Sequence, residues 1–97
     1  MKNIFIAGAV RTAIGKFGGS LGSVPVTEFG SVVVREAMKR AGTETDDVEE
    51  VIMGQVLLAG AGMNPARQVL LKSGIPFVVP AYTVNKVCAS GMKAVTS

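Results

Sequence analysis

Three short apolar runs, each followed by a segment of different character, constrain this chain more than any other feature of it. Ile4-Phe5-Ile6-Ala7-Gly8-Ala9-Val10, Val51-Ile52-Met53-Gly54-Gln55-Val56-Leu57 and Val78-Val79-Pro80-Ala81-Tyr82-Thr83-Val84 lack the strict polar-apolar alternation of a strand with one wet face. They read as strands covered on both sides, the situation of a parallel or mixed sheet. The first run is expected to be the central strand. Gly54 marks close approach by another backbone, and Pro80 belongs at a strand start, where its missing N–H breaks no ladder.

Between the runs the apolar period changes from that of a covered strand to that of a helix. From Pro25 to Ala41, Phe29, Val33, Ala37 and Ala41 fall on one stripe with Val34 and Met38 beside it, and that stripe is expected to pack on the sheet. Pro25 suits a first turn, Glu28 sits near the positive end, Lys39 and Arg40 near the negative end, and Gly42 stops the helix. Glu36 and Arg40 are spaced for an i,i+4 ion pair. A second helix is expected over Pro65–Lys72, capped by Asn64 and ended by Ser73-Gly74 with Pro76 beyond. A third starts near Cys88, so the order is βαβαβα, part of a doubly wound α/β sheet.

Several chemistries are excluded by spacing. Arg11 to Gly22 holds four glycines, but Gly15-Lys16 is followed by Phe17 and has no upstream glycine at Walker spacing, and no GxGxxG occurs. The loop is therefore read as structural, with Arg11 pairing with a carboxylate or a carbonyl. Thr43–Glu50 carries five acids without the spacing of a calcium loop and reads as a solvated connection. One cysteine and no histidine leave no zinc pattern and no internal disulfide. The net charge of +3 is spread over scattered Lys and Arg, so neither a nucleic-acid nor a membrane patch is expected, while small anions remain compatible. The N-terminus lacks the plan of a signal peptide, and the expected compartment is the reducing cytoplasm. Arg67, on a short helix, reads as surface.

What remains is Val84-Asn85-Lys86-Val87-Cys88-Ala89-Ser90-Gly91-Met92-Lys93-Ala94-Val95, where an apolar run turns into small residues around the lone cysteine. If a strand ends near Asn85 and a helix begins near Cys88, unpaired N–H groups and the positive dipole end favour a thiolate and can stabilise an oxyanion. That makes Cys88 a candidate nucleophile for acyl transfer. On spacing alone the other reading stands first: a free cysteine is a small, frequently buried packing residue.

The stretch Asn85-Lys86-Val87-Cys88-Ala89-Ser90-Gly91-Met92-Lys93-Ala94-Val95 resembles the acyl-cysteine motif of the thiolases, specifically their acetyl-CoA acetyltransferase branch. Arg11-Thr12 with Gly15-Lys16-Phe17-Gly18-Gly19, then Val51-Ile52-Met53-Gly54, then Asn64-Pro65-Ala66-Arg67-Gln68 support the likeness in order, so it covers essentially the whole chain. Ala13 departs from the proline common in that family, which alters loop rigidity and no chemistry.

The resemblance implies a partial thiolase-like βαβαβα unit, residues 1–97 being the N-terminal part of the first of two similar halves, with the loop domain and second half absent. It implies that Cys88 carries an acyl group, taking acetyl from acetyl-CoA and passing it to a second acetyl-CoA to give acetoacetyl-CoA, or running the reverse thiolysis. The Cys88 N–H would contribute to one oxyanion hole. Coenzyme A thioesters would be substrates, no cofactor would be tightly bound, and the parent enzyme would be a homo-oligomer. The family's activating histidine and second cysteine have no counterpart here, so the 97-residue chain alone is expected to be inactive. Two alternatives are a fragment of a related condensing enzyme and a noncatalytic module that self-associates through uncovered apolar faces.

Overall fold

A computed structural model describes residues 2–97. Helix α1 runs Val26–Ala41, strand β1 Val51–Gly54, helix α2 Pro65–Lys72, strand β2 Ala81–Val84 and helix α3 Ser90–Thr96, with one 3-10 turn at Thr45–Asp47. The two strands pair in parallel, Val51 opposite Ala81 through Gly54 opposite Val84. Main-chain bonds extend the ladder at both ends, from Val51 N–H to the Pro80 carbonyl (3.0 Å) and from Gln55 N–H to the Val84 carbonyl (3.1 Å). Parallel strands need a crossover, and α2 supplies it.

The helix ends follow their sequence signals. Gly42 adopts φ 68°, outside the range comfortable for a side chain, and its N–H returns to the Lys39 carbonyl. Glu36 and Arg40 form the expected pair at 2.9 Å. Asn64 caps α2 and Pro65 opens it. In the acidic connection, the Asp47 carboxylate accepts from the Glu44 N–H (2.9 Å), a local cap within an otherwise solvated turn. No helix among the described residues is long and apolar enough to cross a membrane.

Val51, Leu70, Ile75 and Val79 form the centre of the core, with Val34, Met38, Val48, Met53 and Ala81 packed around them. Leu70 is fully buried; removing a side chain of that size from water is worth about 1.5–3 kcal/mol. Two expectations change here. Helix α1 packs on α2 rather than on the strands, because Thr27, Gly30 and Ser31 are small enough to let the helices close. A Cβ on Gly30 would sit 2.9 Å from Cγ2 of Val69. The stripe residues Phe29 and Val33 are only half-buried and line an apolar hollow of about 320 Å³ with Val10, Met53 and Val69.

The second change concerns Ile4–Val10, which forms no strand. None of residues 2–15 makes a main-chain hydrogen bond to another described residue, and Ile4, Phe5 and Ile6 are 91%, 84% and 84% exposed. The segment lies against α1 instead: Gly8, at φ 72°, stands where a Cβ would be 2.3 Å from the Ala37 carbonyl oxygen. An apolar run encodes a demand for burial but not the identity of its ladder partner, and each strand that is present pairs only with the other. The α/β class holds with two strands in place of three.

Candidate functional site

Cys88 lies in the turn between β2, which ends at Val84, and α3, which begins at Ser90. It is exposed and unpaired. The packing reading of this cysteine required a buried thiol, and the structure places it in solvent instead.

Local chemistry builds the turn. Asn85 accepts from the Val87 N–H through Oδ1 (2.9 Å), an Asx-type turn, and donates through Nδ2 to the Val56 carbonyl (3.1 Å), tying the turn to the end of β1. Val87 adopts φ 50°, a left-handed backbone that a β-branched residue rarely takes. The Ala89 and Ser90 N–H groups then close onto the Lys86 and Val87 carbonyls, both at 3.1 Å. The buried Ser90 hydroxyl accepts from the Lys86 N–H (2.8 Å) and donates to the Val87 carbonyl (2.6 Å). The Cys88 N–H takes part in no hydrogen bond among the described residues, so one donor beside the thiol stays free.

The floor of the turn is Gly54, the last residue of β1. A Cβ there would lie 2.4 Å from the carbonyl carbon and oxygen of Ser90 and 2.6 Å from the Gly91 nitrogen. The close approach anticipated at Gly54 is therefore made by the first residues of the helix that follows the cysteine.

Other sequence features settle into structural work. Asn64 holds φ 41°, donates to the Ala81 carbonyl (3.0 Å), and accepts from Thr83 Oγ1 (3.1 Å) and weakly from the Arg67 N–H (3.4 Å). Thr83 in turn accepts from the Ala66 N–H (3.1 Å). Arg67 is half-buried and donates to the Val79 carbonyl (3.0 Å), so it braces the crossover and is not the free surface cation expected. Arg11 donates to the carbonyl of its neighbour Thr12 (3.0 Å). No group of three or more Cys, Asp and Glu among the described residues could hold a metal ion.

Sequence reasoning treated Ser90 as merely small and missed its hydroxyl. The signal was present: a serine three residues after a turn carbonyl is placed to bond back to it.

The family model for the thiolase N-terminal domain matches residues 4–97. The chain is 58% identical over 95 residues to an acetyl-CoA acetyltransferase of Cupriavidus necator, covering 98% of this chain and 24% of that protein. It is 56% identical over 95 residues to an acetyl-CoA acetyltransferase of Escherichia coli, with the same coverage. Among solved structures, the Bacillus anthracis acetyl-CoA acetyltransferase superposes with a TM-score of 0.86 at 40% identity, over 94% of this chain and 23% of that one. The Acat5 thiolase of Ascaris suum, determined in complex with coenzyme A, gives 0.78 at 44% identity, over 80% and 20%. The chain thus spans about a quarter of the length of the curated relatives it matches.

Proposed function

Because the chain belongs to the thiolase family through its N-terminal domain, we propose that it supplies the acyl-accepting cysteine of an acetyl-CoA acetyltransferase. The observation that carries this is the placement of Cys88: solvent-exposed, in a strand-to-helix turn, beside its own unpartnered N–H.

In the first half-reaction the Cys88 thiolate attacks the acetyl carbonyl carbon of acetyl-CoA. A new S–C bond forms, the bond to the coenzyme A sulfur breaks, and coenzyme A leaves as its thiolate. The Cys88 N–H is a donor for the oxyanion that develops on that carbonyl. In the second, a carbanion equivalent from another acetyl-CoA attacks the acetyl-cysteine, giving acetoacetyl-CoA and returning the thiolate; thiolysis is the reverse. Both directions require a base to generate the thiolate and an acid/base for the second substrate. The chain contains no histidine and a single cysteine, so residues 1–97 represent the nucleophile-bearing part of the first half of the enzyme, and the chain alone turns over negligibly. An exposed thiol that must remain reduced suits the cytoplasm.

The test is a chimera in which residues 4–97 replace the matching segment of the Cupriavidus necator enzyme. Thiolysis of acetoacetyl-CoA by the chimera, a fall of at least about 10³-fold on Cys88→Ala, and an acetyl adduct on Cys88 by mass spectrometry are expected. A chimera that keeps its rate without Cys88 would refute the assignment.

A second reading is favoured by the exposed Ile4, Phe5, Ile6 and Phe17, each at least 84% accessible: apolar surface of this kind supports assembly with further copies. Size-exclusion chromatography with light scattering tests it, and a dilute monomer counts against it.

A further inference from the structure

Val87 is the one β-branched residue held at positive φ among the described residues, and it immediately precedes the cysteine. A side chain branched at Cβ in the left-handed region costs free energy, so the surrounding contacts must hold it there. Two groups do so. Asn85 fixes the Val87 N–H from the strand side, and the Ser90 hydroxyl fixes its carbonyl from the helix side while also accepting the Lys86 N–H. Ser90 is only 3% exposed, so both of its bonds form away from competing water. With Gly54 beneath its carbonyl, Ser90 has no room to move toward the sheet. Alanine would match its size and fit the helix start but could make neither side-chain bond.

We propose that Ser90 is a positioning residue for Cys88: its hydroxyl holds Val87 left-handed and thereby sets where the thiol is presented. The proposal rests on Cys88 being the acyl acceptor, but its geometry is testable without acyl transfer. Losing one such bond shifts a local equilibrium by roughly three- to tenfold.

The experiment is a double-mutant cycle on the 97-residue chain with Ser90→Ala and Val87→Gly. Its readouts are the Lys86 amide exchange rate, the Val87 backbone coupling constant and the rate at which iodoacetamide alkylates Cys88. Ser90→Ala should speed Lys86 exchange by roughly three- to tenfold, move the Val87 coupling away from its left-handed value, and slow alkylation of Cys88. Glycine takes positive φ without strain, so in the Val87→Gly background the effect of Ser90→Ala on alkylation should largely vanish. Wild-type alkylation in Ser90→Ala, or an equal loss in both backgrounds, would overturn the proposal. If Ser90→Ala does not fold, recovery of the fold in Val87→Gly/Ser90→Ala supports it and continued failure refutes it. None of these readouts involves a thioester, so failure of the acyl-acceptor assignment, read from Cys88→Ala in the chimera, is a separate result.

Discussion

The main chain of Ser90 occupies the space where a side chain on Gly54 would begin, 2.4 Å from the ideal Cβ position. Gly54 closes β1 in register with Val84, the last residue of β2, so the contact lies where the sheet ends and the cysteine turn begins. The missing side chain lets the start of α3 rest directly on the strand, and the turn carrying Cys88 inherits its position from that seat.

Gly54→Ala should therefore act on the cysteine turn as well as on stability. The three nearest atoms the new methyl would meet all belong to the backbone of Ser90 or Gly91, so the tightest contacts cannot be relieved by a side chain swinging aside. Overpacking of this kind costs about 1–3 kcal/mol. The expected outcome is a lower urea midpoint with the alkylation rate of Cys88 altered, while amide protection of the Gly42 N–H bonded to the Lys39 carbonyl, at the end of α1 away from the turn, is retained in the folded fraction. A wild-type midpoint and wild-type alkylation would show that the strand and helix are not in contact in solution.

Much of this was legible in the sequence where a local rule decides the outcome. Pro65 to Lys72 was bounded by a cap and a stop, and the structure keeps those limits; Gly54 in an apolar strand signalled backbone contact, and Ser90 provides it. What failed was long-range. The apolarity of Ile4–Val10 could not name its partner, and the stripe on α1 could not say that the smaller Gly30 and Ser31, one and two positions beyond Phe29, would decide which face closes on α2. The site divides in the same way. The turn residue types drew attention to Cys88, whereas the hydroxyl bonds of Ser90 and the brace from Arg67 to Val79 depend on distances that periodicity does not contain.

Asn64 performs two tasks that substitution can separate. Its backbone is left-handed at φ 41°, and its side chain bonds to Ala81, Thr83 and Arg67. Loss of a cap of this type costs about 1 kcal/mol, and a non-glycine residue without Asn's local bonding pays about 1–2 kcal/mol more in the left-handed region. Asn64→Gly should thus be less stable than wild type and Asn64→Ala less stable still, with the denaturant slope unchanged across the three. Equal midpoints for the Gly and Ala variants would mean that the backbone conformation contributes nothing.

Ser73, at the end of α2, is buried and its hydroxyl oxygen has no hydrogen-bond partner, although its N–H reaches the Val69 carbonyl at 2.9 Å. An unpaired buried hydroxyl carries a desolvation cost of about 1–3 kcal/mol. Alanine removes the oxygen and preserves the shape, so Ser73→Ala should raise the melting temperature, with a stability gain of about 1 kcal/mol. A fall in melting temperature would instead reveal a partner for the hydroxyl in solution.

The Glu28–Lys72 ion pair joins the first turn of α1 to the last turn of α2, and it gives the chain an acid-sensitive contact. The hydrogen bond from Lys72, then its charge, hold the Glu28 carboxyl below its ordinary value of 4.5; desolvation opposes them, and the Arg35 charge adds the least of the four effects. Because the folded value lies below the unfolded one, the unfolded state binds the proton more readily in the interval between them. The pair's contribution is therefore complete above pH 4.5 and is lost as pH falls through the folded value. Both partners are substantially solvent-exposed, so the contribution is screened by salt. Urea midpoints of wild type and Glu28→Gln should differ most at neutral pH and low salt and converge on acidification, since glutamine cannot titrate. They should also converge at neutral pH as salt is raised. A gap between the two proteins that stays constant down to about pH 3 would show that Glu28 acts through packing on α2 and not through its charge.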